Sequence, residues 1–235
     1  MENSKTSETG TATNMLRYAG PPLGILAVIY MVLFIAGLYP VTIFGGKPYF
    51  PGPWESADVI AAFFQARPFS VILCAFFQFG AAISLGVFTA SITSQLRFLG
   101  ARFAGTYIAY LGGLITALNM ICSVFILWVM AHPGIAKDTT LLNALYYLSY
   151  VFGGPGFSVP LGLLIAGISI VSAFMKLLPK WIVVFGIILA VIGELSWLNL
   201  IFPQALFLIP LTRFPAFVWL IIVGFILPKA IPAKL

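Results

Sequence analysis

The sequence predicts an all-α, polytopic transmembrane helical bundle of about six spans, with both termini cytoplasmic. Three observations carry this reading. Apolar residues make up 61% of the 235 residues and charged ones only 8%, against roughly 25% charged in soluble domains. The solvent for so much apolar surface is lipid. The apolar runs reach about 20 residues or more, the length a helix needs to cross a hydrocarbon core. The basic residues fall singly in the short segments between these runs. With the N-terminus inside, Lys5, Arg17, Arg97, Arg102, Lys176, Lys180, Lys229 and Lys234 lie on the inner side, and Lys47, Arg67, Lys137 and Arg213 on the outer. That bias follows the positive-inside rule and predicts a multi-pass protein of the cell membrane. The same scatter argues against a nucleic-acid partner, because the net charge of +6 forms no patch.

Taken in order, residues 1–18 form a polar tail with too little apolar content to bury, and one bundle occupies 19–231. The first span covers about 20–44, opened by Pro21 and Pro22 and ended by Gly45, Gly46 and Pro48. Its apolar run exceeds a signal-peptide core, so it reads as a retained span. The outer loop 45–67 contains Pro51, Gly52 and Pro53, then a short amphipathic helix. Glu55 and Asp58 sit in the first turn of that helix, and Val59, Ile60, Phe63 and Phe64 share a face. It either lies on the bundle or the membrane interface, or lids a cavity.

The second span, 68–94, opens at Pro68. The third, 104–131, places Gly105, Ala109, Gly112 and Gly113 where helices can approach closely. Asn119 near its middle predicts an interhelical hydrogen bond. His132, the only histidine, stands at a span end without companions at metal-ligand spacing, and reads as interfacial. Cys74 and Cys122 lie inside apolar runs and read as small buried hydrophobes.

From Thr139 to Met175 the chain is apolar, and one helix would be roughly 55 Å long, too long for a bilayer. Gly153, Gly154, Pro155 and Gly156 fall in the segment expected to break it. Either a half-helix 139–152 precedes a span 157–175, or the whole is one kinked, tilted helix. Broken helices line binding sites in some transporters. The fifth span is 181–202. The sixth runs 205–227, since 214–227 alone is too short, and so takes in Arg213.

The stretch Leu178-Pro179-Lys180-Trp181 and the run from Arg213 to Pro228 resemble a bacterial family of uncharacterised multi-pass membrane proteins, catalogued as a domain of unknown function. The resemblance implies a short N-terminal tail, a helical outer loop after the first span, and a Leu-Pro turn before a glycine-containing span. It implies no activity, cofactor or catalytic residue.

Catalytic motifs are missing: no H-E-x-x-H, G-x-S-x-G, P-loop or C-x-x-C stands in the sequence, and no two acids sit together as an acid–base pair. This disfavours an enzyme and calls for no cofactor. Glu194 is an acid near the middle of the fifth span, and such a residue needs a named partner. It and Arg213 are equally far from the turn at Pro203-Gln204, hence at equal depth in an antiparallel hairpin. The expectation is a buried ion pair locking spans five and six, beside a close-contact stripe of Gly186, Ala190 and Gly193. Its rivals have Arg213 snorkelling to the interface with Glu194 neutral or hydrogen-bonded, or Glu194 as a proton or cation site. Gln78, Asn119 and Asn199 are the remaining polar or cavity positions. Two function classes follow. One is a non-enzymatic bundle in the lipid bilayer that binds a lipid, a small apolar ligand or a membrane partner. The other is a small proton- or cation-linked carrier using Glu194.

Overall fold

The computed structural model describes residues 15–232. It is an all-α bundle with six helical segments long and apolar enough to span a membrane: Leu23–Val41, Pro68–Phe98, Ala104–Met130, Thr139–Met175, Lys180–Leu200 and Pro203–Ile226. The protein is therefore a multi-pass membrane protein. Its regular helices are α1 (Leu23–Leu38), α2 (Ala57–Ala66), α3 (Pro68–Phe98), α4 (Ala104–Met130), α5 (Pro133–Lys137), α6 (Thr139–Gly153), α7 (Pro155–Met175), α8 (Lys180–Leu195) and α9 (Leu208–Ile226).

Local chemistry sets the boundaries. Proline opens α3, α5 and α7 at the first helical position, where its missing N–H is harmless. The Ser56 hydroxyl accepts from the Val59 N–H at the start of α2, and Asp138 accepts from the Leu141 N–H at the start of α6. Tight 3-10 turns end two of the spans early: α1 gives way at Tyr39–Val41, and α8 at Ser196–Leu200. The last span begins with another, Pro203–Phe207.

Each long helix rests on the next, α1 on α3, α3 on α4, α4 on α7, α7 on α8 and α8 on α9, and α9 returns to α1. Small residues let the backbones meet. Ala109 and Gly105 of α4 lie against Gly167 of α7, and Gly112 lies against Pro160 and Leu164. Gly224 of α9 lies against Gly24 of α1. In lipid the solvent gives no hydrophobic drive for helix association, so such close contact supplies much of the stability. The outward faces carry large apolar side chains, including Phe76, Phe125, Phe174 and Trp181.

Of the expected polar tail, residues 1–14 lie outside the described part. Met15–Arg17, by contrast, form a short strand β1 that pairs antiparallel with β2 (Ala230–Pro232), Leu16 opposite Ile231. This corrects the reading of 15–18 as unpacked tail. Main-chain pairing there does not depend on side-chain polarity, and the Tyr18 hydroxyl also donates to the Ser91 carbonyl at 3.1 Å. Both ends of the described chain thus meet at one end of the bundle.

The loop between α1 and α3 folds back at the opposite end. The Arg67 guanidinium gathers three of its carbonyls, donating to Gly45 at 2.6 Å, to Pro48 at 3.1 Å and to Gly46. Beside it, α2 buries Ile60, Phe63 and Phe64 while Val59 stays exposed. With Val71, Met130, Leu142 and Tyr146 these form a second, smaller core. The helix lies on the bundle, held also by the Gln65 side chain, which donates to the Ala136 carbonyl at 2.8 Å.

Candidate functional site

At the end opposite the paired termini the helices part around a cavity of about 390 Å³. Its wall takes the last turns of α1 (Phe34, Leu38), the first half of α3 (Cys74, Gln78), the second half of α4 (Met120 to Leu127), the end of α6 and the start of α9. Most of the lining is apolar. The segment Phe50–Trp54 covers it, pinned by two tyrosines: Tyr146 donates to the Pro51 carbonyl at 2.6 Å and Tyr147 to the Pro53 carbonyl at 3.2 Å. Trp54, 72% exposed, stands at the mouth. The cover is this irregular segment, not α2.

The broken helix forms the cavity's inner wall. Gly154 has φ −92° and ψ −103°, outside the helical region, and separates α6 from α7. Phe157 and Ser158 both direct their N–H groups to the Gly154 carbonyl, which leaves the Gly153 carbonyl without a backbone donor. Arg213 supplies one: its Nη2 donates to that carbonyl. A guanidinium here also meets the negative end of the α6 dipole. The same cation lies over the Phe157 ring at 4.3 Å and the Phe34 ring at 5.3 Å from the centroids.

This arrangement replaces the expected ion pair of Glu194 with Arg213. The hairpin does bring α8 and α9 to matching depth, since Gly193 faces Thr212. Arg213 is the next residue, turned about 100° around the helix, toward α1 and the break. Glu194 lies instead against Gly162 of α7, and its buried Oε1 has no hydrogen-bond partner among the described residues. It is not part of the cavity wall. Counting from the turn gives depth but not direction around the helix, and direction decides the outcome.

The other nominated positions divide. Gln78 lines the cavity and donates to the Phe34 carbonyl at 3.2 Å. Asn199 donates to the hydroxyl of Tyr150, itself a wall residue. Asn119 donates to the Gly156 carbonyl, and the reason is covalent. Pro160 stands inside α7 and has no N–H for the carbonyl four residues earlier, which is Gly156. Asn119 of α4 supplies the missing donor. Asn119→Leu is therefore expected to cost about 1–2 kcal/mol. In a Pro160→Ala background the backbone N–H returns and the same change should cost clearly less. A double-mutant cycle on detergent unfolding measures the difference, and equal costs in both backgrounds would refute the pairing.

Residues not singled out in the sequence include Ser123 and Ser149. Each hydroxyl reaches the other's carbonyl, at 2.9 Å from Ser123 and 3.2 Å from Ser149, clasping α4 to α6 in the cavity wall. Gly153 permits it, since a Cβ there would fall 2.7 Å from the Ser123 Oγ. An isolated serine in an apolar run is a weak signal, and nothing in its spacing names its partner. His132 is exposed, just past the end of α4, and its Nδ1 meets the carbonyl of Trp128 in the last turn of that helix at 3.1 Å. Among the described residues no group of three His, Cys, Asp or Glu side chains is placed to hold a metal.

Comparison with protein-family models, curated proteins and solved structures finds no match to this chain.

Proposed function

We propose that this membrane protein is a non-enzymatic binder that holds a small apolar or lipid-derived ligand in the cavity beneath Phe50–Trp54. The observation that supports the reading is the cavity's size and lining. About 390 Å³ falls within the range of ligand pockets, and a mostly apolar wall with a few placed polar groups is their usual character. Those polar groups are largely engaged with the protein itself: Gln78 with Phe34, Ser123 with Ser149, Tyr146 with Pro51. None is arranged as a nucleophile with an adjacent base. In the same reading the protein resides in the cell membrane with both termini cytoplasmic, as the distribution of basic residues favours. The cavity then opens toward the outside.

Val124 is buried in the wall, and Val124→Phe would fill part of the space. Mass spectrometry of lipid extracted from the purified protein is expected to find a retained small amphiphile or apolar molecule in the wild type and much less of it in Val124→Phe. Equal retention in a correctly folded variant would sink the proposal.

A further inference from the structure

We infer that the ligand carries a terminal anionic group, a carboxylate or a phosphate monoester on a single apolar chain, and that Arg213 binds that group. The inference rests on the reading of the cavity as a ligand site and adds the ligand's chemistry.

Among the described residues Arg213 is the one cationic side chain in the cavity wall. Among the described residues no carboxylate pairs with it. An ionised residue within a membrane span almost always finds a partner or serves a pathway. The protein compensates it in part, through the Gly153 carbonyl and the two aromatic rings. A helix C-terminus carries only about half a negative charge, and ring faces none. Of the five guanidinium N–H groups, one of those on Nη2 is used; among the described residues Nη1 meets no acceptor and Nε has no partner. Four of the five N–H groups are thus left over, enough to offer two parallel donors to the oxygens of a carboxylate or phosphate. A neutral ligand can accept a hydrogen bond there but leaves the positive charge unbalanced.

The rest of the wall sets the other half of the molecule. It offers Leu38, Cys74, Met120, Val124, Leu127 and Ile209, surfaces suited to a hydrocarbon chain. An apolar cavity of about 150 Å³ holds benzene. By proportion, 390 Å³ holds about 15 non-hydrogen atoms, close to a twelve-carbon acid. The mouth at Trp54 and Pro210, both exposed, lies where the chain end of a membrane amphiphile could pass.

The test uses the full chain in phosphatidylcholine nanodiscs, titrated with dodecanoate, dodecyl phosphate and dodecanol, each corrected for partition into protein-free discs. The wild type is expected to bind one or both anions at least about tenfold more tightly than the alcohol. Arg213→Gln should bring the ratio close to one while keeping the alcohol's affinity, which also reports that the cavity has folded. Arg213→Lys should retain part of the preference. Preference for dodecanoate or for dodecyl phosphate identifies the head group. Equal binding of acid and alcohol by the wild type overturns this inference and leaves the cavity reading standing. An anion preference that survives in Arg213→Gln overturns it too. No binding of any of the three overturns both.

Discussion

Gly112→Ala is expected to destabilise the bundle by about 2–3 kcal/mol, and Gly112→Val by more, while Gly86→Ala is expected to be neutral or mildly stabilising. The two glycines look alike in sequence, each in the middle of an apolar run. Their surroundings differ. A Cβ at Gly112 would fall 2.5 Å from the Pro160 oxygen and 2.6 Å from the Leu164 nitrogen. Both are backbone atoms of α7, so no side chain can swing aside and the helices must separate. A Cβ at Gly86 meets only the Ala117 Cβ, at 3.9 Å. Separation of α4 from α7 would also stretch the Asn119 bond to Gly156 two turns further along and loosen the wall of the cavity. Against a total stability of about 5–15 kcal/mol, the Gly112 changes should be evident as lower melting temperatures in detergent. Equal melting of Gly112→Ala and Gly86→Ala would show that the α4–α7 contact is not a stability determinant.

How far the sequence announces this architecture depends on the kind of signal. The all-α class and the six spans follow from run length and composition, because a bilayer demands about 20 apolar residues per crossing and little else in the chain competes. The contacts that shape the cavity are of another kind. Arg213 meets a main-chain carbonyl, as do Gln78, Asn119, Ser123 and Tyr146. Carbonyls are present at every residue, so composition cannot say which one is left without a donor. The exception is proline: within any helix that contains it, Pro160 leaves the Gly156 carbonyl without its usual N–H. Matching Asn119 to that carbonyl needs one further fact, the pairing of α4 with α7. The glycines and proline at 153–156 and the arginine at 213 each stand out in the sequence as oddities. Their meeting requires the azimuth of α9, which is set by the 3-10 turn at Pro203–Phe207 and by which face of α9 receives α8.

That face is the subject of the second large effect. Trp219→Ala is expected to cost about 3–5 kcal/mol, the greatest loss of any single truncation between α8 and α9. Trp219 is fully buried, and its indole N–H donates to the Ile182 carbonyl at 2.9 Å. The ring lies in the notch left by Gly186, where a Cβ would come within 2.7 Å of it. Trp219→Phe keeps much of the ring's packing but loses the hydrogen bond. It should cost about 1–2 kcal/mol and leave an intermediate melting temperature. The contrast is with Glu194 and Arg213. Had they locked the hairpin, removing one would strand the other, and the double change would cost less than the sum. In this structure Arg213 answers to Gly153 and Glu194 lies on Gly162, so they share no partner. The effects of Glu194→Gln and Arg213→Gln on unfolding should then add to within about 0.5 kcal/mol. A coupling well above that, with Trp219→Ala nearly silent, would return the ion pair as the lock between the last two spans. Additivity together with a severe Trp219→Ala assigns the lock to an indole in a glycine notch, and leaves the Arg213 charge available for a ligand.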